Sequence, residues 1–239
     1  MGVHALMEKQ IKLKTSSGVA IHGIVNSTKK TDKLIIFVHG LTGHMNEHHY
    51  INAPAYFNPH GYDTFRFNLY SNSNKRQLSE VSVREHIEDL NVVINHFKSI
   101  YKSIVIVSHS IGCYVVIKTQ LKGINKFIFW DPSKGLTDFN KKGLVYDEKL
   151  DKYIWQVGHT FLLSKEMIED WKDASQIEEY VDQIPPNSAF IFAGDYNIYP
   201  AWKPFMKNYP IAVIKGATHV FYEEGVLEEL YRATLKLLS

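Results

Sequence analysis

Ile104-Val105-Ile106-Val107-Ser108-His109-Ser110-Ile111-Gly112-Cys113-Tyr114-Val115-Val116-Ile117 is the stretch on which the reading of this chain turns. Its first four residues are β-branched and apolar, too few for a helix and suited to a strand covered on both faces. Beyond Gly112 the apolar residues continue at helical spacing as far as Leu121. Ser110 stands at the joint, with a small residue two positions to either side. A serine so placed is the pattern of a nucleophile elbow, a turn sharp enough to strain its central residue and push the hydroxyl beyond the end of the sheet. Small flanking residues let strand and helix approach. Ser108 occupies the place of the first glycine in the usual G-x-S-x-G, one small residue for another. An ordinary strand and helix joined by a capping serine produce a similar pattern, so what the rest of the chain places beside Ser110 decides between the readings.

Upstream, Leu34-Ile35-Ile36-Phe37-Val38 is a second uninterrupted apolar run, ending in His39-Gly40-Leu41-Thr42-Gly43. Gln10–Lys14 and Val19–Val25 alternate around Ser16-Ser17-Gly18 and predict an antiparallel hairpin with one wet face. Glu47–Phe57 predicts a helix, Tyr62–Phe67 a strand and Ser71-Asn72-Ser73-Asn74 a loop. Ser82-Val83-Arg84-Glu85 is a capping box, opening a helix whose apolar stripe is Ile87, Leu90, Ile94 and Phe97. Downstream, Phe127–Trp130, Ala189–Ala193 and Ile211–Ile214 read as strands, and an amphipathic helix carrying Val226, Leu227, Leu230, Thr234 and Leu237 closes the chain. Strands alternating with helices predict an α/β fold, a mostly parallel sheet of about eight strands with helices on both faces. Residues 133–186 differ, being charged and aromatic with no convincing strand. The expected organisation is a core of residues 1–132 and 187–239, with residues 133–186 inserted after the sixth strand as a helical lid.

In such sheets ligands bind beyond the carboxyl ends of the strands. His39-Gly40-Leu41, Ser110, Asp131, Gly194-Asp195-Tyr196-Asn197 and Gly216-Ala217-Thr218-His219 all fall at such ends. That convergence favours the elbow reading.

Bulk properties remove several classes of function. The net charge of +2 comes from Lys and Arg spread along the chain, so nucleic acid and anionic membrane are not implied as partners. The lone Cys113 rules out an internal disulfide framework and reads as a small core residue in a reducing compartment. Met1–Gln10 has no apolar h-region, and no run of about 18 apolar residues occurs, so the expectation is a cytoplasmic protein without a membrane span. His44, His48 and His49 with Glu47 have the donor types of a metal site, but a helix face just past the His39-Gly40 turn explains them; neither metal nor cofactor is expected.

The order of strand-HGL, elbow, insertion, strand-GDYN and strand-GATH resembles the α/β-hydrolase superfamily over nearly the whole chain. HGLTGHMNE, the hairpin start, the helix with Glu88-Asp89 and the lid of medium size are most similar to small serine esterases of the cinnamoyl (feruloyl) esterase and monoacylglycerol lipase type. The resemblance implies Ser110 as nucleophile and His219 as its base, in the superfamily's order of Ser, acid, His. It places the oxyanion donors at the backbone amides of Leu41 and Ile111. The acid departs from the pattern: Gly-x-x-Asp after the seventh strand becomes Gly194-x-x-Asn197. Asp195 serves if that loop is shifted, Asp131 occupies the alternative position after the sixth strand, and Asn197 is a third way to orient the imidazole. The fourth strand departs too, with Phe67-Asn68-Leu69-Tyr70-Ser71 where relatives carry an aspartate and a Gly-rich turn. The implied activity is hydrolysis of carboxylic esters, or thioesters, of small to medium apolar or aromatic acids. The competing reading is a non-catalytic binding or regulatory protein on the same fold, motivated by Asn197, the altered elbow and the altered fourth strand.

Overall fold

The described residues of the computed structural model are 7–28, 31–72, 76–134, 143–172 and 176–238. Residues 1–6, part of the stretch searched for a leader, and Ser73-Asn74 of the expected loop lie outside them. So do residues 135–142 and 173–175 of the insertion.

The hairpin forms as β1 (Met7–Lys14) and β2 (Ala20–Ser27), paired antiparallel with Leu13 opposite Ile21. The apolar run after it is β3 (Lys33–Val38). Leu34, Ile36 and Val38 enter one apolar cluster, while Ile35 and Phe37 enter another on the opposite face. Both faces are covered, which is why the run is apolar at every position. β3 pairs in parallel with β4 (Asp63–Phe67) and with β5 (Ser103–His109). β6 (Lys126–Trp130), β10 (Ser188–Ala193) and β11 (Ile211–Ile214) extend the sheet on that side, giving the order β1-β2-β4-β3-β5-β6-β10-β11. Only the β1–β2 and β2–β4 pairs are antiparallel. The sheet is therefore the mostly parallel one expected, with its carboxyl ends gathered on one edge.

The region expected as one helix, Glu47–Phe57, is two: α1 (His48–Ile51) and α2 (Ala53–Phe57). Pro54 stands in the first turn of α2, where it has no N–H to give and its ring tolerates no preceding helical turn. The capping box of Ser82 and Glu85 is formed, opening α3 (Val83–Lys98), which buries Leu90, Ile94 and Phe97. α3 and α4 (Ile111–Thr119) cover one face of the sheet, while α1, α2 and α7 (Val226–Leu238) cover the other. Among the described residues no helix is long and apolar enough to cross a membrane.

The insertion corrects the expectation of a helical lid without strands. β7 (Leu144–Asp147), β8 (Lys152–Val157) and β9 (His159–Leu163) form a separate antiparallel sheet, followed by α5 (Lys165–Lys172) and two short 3₁₀ turns. The strands hide from a polarity count because both faces carry apolar side chains. Trp155 and Leu144 pack on the main core, while on the other face Val145 is exposed. Gly158, with φ +76°, lets β8 reverse directly into β9. The short α6 (Tyr199–Trp202) follows β10.

Candidate active site

Ser110 sits between the end of β5 and the start of α4 with φ 55° and ψ −123°, the strained conformation that the elbow pattern predicts. Gly112 is required here. A Cβ on it would lie 2.6 Å from the carbonyl oxygen of His39 and 2.8 Å from that of Val38, because α4 starts hard against the end of β3. At the first glycine position Ser108 is fully buried, and its Oγ has no hydrogen-bond partner among the described residues. Cys113 is buried and donates to the Ser108 carbonyl at 3.2 Å; burial pushes its thiol up, so it stays protonated.

His219, in the loop after β11, reaches Ser110 Oγ with Nε2 at 2.9 Å. Its Nδ1 lies 2.5 Å from Asp131 Oδ2. Of the three residues proposed from sequence to orient this ring, Asp131 is the one in contact. It follows β6 directly at φ 40°, and its carboxyl is fully buried. Its other oxygen accepts from the amide of Ala193 at 3.1 Å. Burial pushes the carboxyl up from the usual range, against the opposing pull of the His219 hydrogen bond. An acceptor at Nδ1 keeps the proton on that nitrogen and turns the Nε2 lone pair toward the serine.

Asp195, the first choice from sequence, is elsewhere. It is exposed, and its Oδ1 accepts from the Gly216 amide at 3.1 Å while its own amide donates to Ala217 O at 2.9 Å. Its carboxyl ties the loop after β10 to the loop after β11 instead of meeting the imidazole. Asn197 lines the cavity wall without a hydrogen bond to His219.

His109 was not singled out from sequence. It is buried beside the elbow, and its Nε2–H donates to the backbone carbonyl of His219 at 2.7 Å. Burial holds its pKa well below the usual histidine value, so the ring is a neutral strut under the His219 loop. Its only sequence signal is its place between Ser108 and Ser110.

Leu41 borders the same cavity, and Ile111 contributes the first amide of α4, which has no acceptor within its own helix. The turn carrying Leu41 is braced from behind. The buried His39 donates from Nδ1 to Gly40 O at 2.8 Å and accepts from the Leu69 amide at Nε2 at 3.0 Å. Arg76 in turn donates to Leu69 O at 2.8 Å and pairs with the buried Asp89 through bonds of 3.0 and 2.7 Å. The altered fourth-strand segment thus has its own anchor, Arg76, which sequence reading did not pick out. Substituting Gly40 would bring a Cβ to 3.0 Å from the Cβ of Ser110, so turn and elbow are in close contact.

His48 Nε2 lies 2.8 Å from Phe221 O, and His49 is buried, its pKa lowered to about 3 by desolvation. Among the described residues no group of three His, Cys, Asp or Glu side chains is placed to hold a metal ion. A cavity of about 380 Å³ opens over Ser110 and His219. Its lining includes Trp155 and Trp171 from the insertion together with Lys134, Tyr196, Ile198 and Val220. The arrangement can deprotonate a serine hydroxyl beside a backbone-lined turn, under an aromatic roof.

No family model matches the sequence, and no curated protein matches it by sequence. Solved structures do match. Est1E from Butyrivibrio proteoclasticus superimposes with a TM-score of 0.74 at 18% identity, covering 96% of this chain and 98% of its own. A second Est1E structure holds ferulic acid. The α/β hydrolase GrgF from Penicillium sp. sh18 gives a TM-score of 0.78 at 13% identity, covering 98% of each chain. The Pyrococcus furiosus esterase Pf2001 gives 0.67 at 16%, covering 98% of this chain and 94% of its own. The chain has the α/β-hydrolase fold.

Proposed function

We propose that this chain is a serine hydrolase of carboxylic esters, thioesters included, acting through an acyl-enzyme on Ser110. The observation that carries the reading is the unbroken line of contacts from Asp131 through His219 to Ser110, at the floor of a cavity. In this mechanism His219 Nε2 takes the Ser110 proton as Oγ attacks the ester carbonyl, and the imidazolium is stabilised by the ionised Asp131 at Nδ1. The oxyanion rests on the amides of Leu41 and Ile111, each such donor contributing on the order of 3 kcal/mol. The alcohol leaves with the proton from His219, and a water activated by the same nitrogen releases the acid. Trp155 and Trp171 favour a small to medium apolar or aromatic acyl group, and the ferulic acid held by Est1E agrees with that preference. The non-catalytic alternative loses its main motive once Asp131 takes the role that Asn197 left open.

A fluorophosphonate probe is expected to label Ser110, and Ser110→Ala is expected to abolish both labelling and turnover of p-nitrophenyl esters. Labelling that survives the substitution overturns the reading.

A further inference from the structure

Glu47 takes no part in the mechanism above, yet it lines the same cavity as Ser110. It precedes α1, and its side chain is only 16% exposed. The carboxyl packs directly against the turn: a Cβ on Gly43 would lie 2.4 Å from Glu47 Oε2, so any larger residue there would push the carboxyl aside. One oxygen accepts from the His44 amide at 3.3 Å. The neighbouring His49 Nε2 is 3.9 Å away and belongs to a neutral ring, so it offers no counter-charge. Among the described residues no lysine or arginine pairs with Glu47. Tyr50 and Tyr70, also near it, are held protonated by burial.

A half-buried carboxyl without a cation is costly, and burial accordingly pushes its pKa up to about 7. A glutamine would accept from the His44 amide equally well without that cost. The carboxyl gains over an amide only when something with donors or positive charge lies opposite it. Donor-bearing Ser133, Lys134, Tyr196 and Asn197 line the cavity beside Leu41, Trp155 and Ile198, but none of them bonds to the Glu47 carboxyl, whose polar contacts are the His44 amide and the distant His49 ring, so a bound ligand is the remaining partner.

We propose that Glu47 is a specificity-determining residue: it selects substrates that carry a hydrogen-bond donor, a hydroxyl or a protonated amine, on the part lying along the Leu41 turn, and it rejects those carrying a carboxylate there. This rests on the ester-hydrolase reading and adds a polar requirement to an otherwise aromatic pocket. Repulsion between two carboxylates at low local dielectric, against attraction for an ammonium, separates the two substrate kinds by far more than a methylene contact does.

The test uses two matched ester series, one varied in the acyl part and one in the alcohol part. Each has members ending in methyl, hydroxyl, dimethylammonium and carboxylate. In one series the wild-type protein is expected to favour the dimethylammonium over the carboxylate member at least tenfold in kcat/KM at pH 8. Glu47→Gln is expected to reduce that ratio tenfold, and Glu47→Asp to keep its direction. Because the readout is a ratio, a general loss of activity in the variant cancels. Hydroxyl and ammonium members moving together indicate recognition of a donor, and ammonium alone moving indicates recognition of charge. A ratio unchanged by Glu47→Gln in both series overturns the proposal. If no ester is turned over and Ser110 is not labelled, the hydrolase reading has failed separately. Titrating Ser110→Ala and Ser110→Ala/Glu47→Gln proteins with pentyl dimethylammonium and hexanoate then decides the Glu47 proposal by the same ratio.

Discussion

β6 and β10 are neighbouring parallel strands, and each is followed within two residues by an aspartate. The two carboxylates have opposite fates. Asp131 comes immediately after its strand at φ 40°, fully buried, with one oxygen on the Ala193 amide and the other on His219. Asp195 comes one residue later, after Gly194, and its side chain runs along the edge to the Gly216 amide. A carboxylate near a strand end is therefore not sufficient. What distinguishes the two is the backbone direction at the first residue past the sheet, together with burial that leaves the carboxylate no solvent to compete with the imidazole.

The largest expected effect breaks this contrast at Asp131. Asp131→Asn is expected to lower kcat by about 10³–10⁴-fold, because an amide no longer fixes the proton on Nδ1 or stabilises the imidazolium. Steady-state kinetics on a p-nitrophenyl ester measures it, and an equal or larger loss in Asp195→Asn would invert the comparison. Next comes the strut beneath His219. His109→Leu removes the donor to His219 O and is expected to lower kcat roughly tenfold with KM nearly unchanged, whereas His109→Gln, which keeps an N–H, recovers part of the loss. Both would be read beside their unfolding midpoints, since a fold defect moves stability without splitting kcat from KM.

Glu47 sharpens the contrast with a third carboxyl, one buried without a partner of opposite charge. Its folded pKa of about 7 lies above the ordinary 4.5, so the folded protein holds this proton more tightly than the unfolded chain. Stability relative to Glu47→Gln therefore falls as pH rises from about 4.5 to 7 and is flat beyond. The difference reaches at most about 3 kcal/mol. Urea midpoints of both proteins at pH 5 and pH 8 check this; His44, His49, Tyr50, Tyr70 and, on the cavity wall, Lys134 are the titratable neighbours to hold constant. The smallest effect belongs to Asp195→Asn: kcat within threefold of wild type and a stability loss under about 1 kcal/mol, as expected for one exposed hydrogen bond to a loop amide.

Much of the core was legible because its signals are local. An apolar run without a polar break identified β3 as buried on both faces, the capping box located the start of α3, and the small residues around Ser110 announced a turn that only a strained backbone makes. The failures had specific causes. Pro54 splits Glu47–Phe57 into two helices, a stop the amphipathic pattern concealed. The β7–β9 sheet escaped notice because apolar residues on both of its faces erase the period-two contrast that marks a strand.

Composition and pattern alone determined a mostly parallel α/β sheet, with Ser110 and His219 both past strand ends on one edge. The spacing of apolar, glycine and serine residues encodes backbone conformation directly. Which carboxylate meets His219 was decided only by tertiary structure. So were the service of His109 and Arg76 as braces and the place of Glu47 on the cavity lining. Each depends on where side chains far apart in the chain point once the strands are in register.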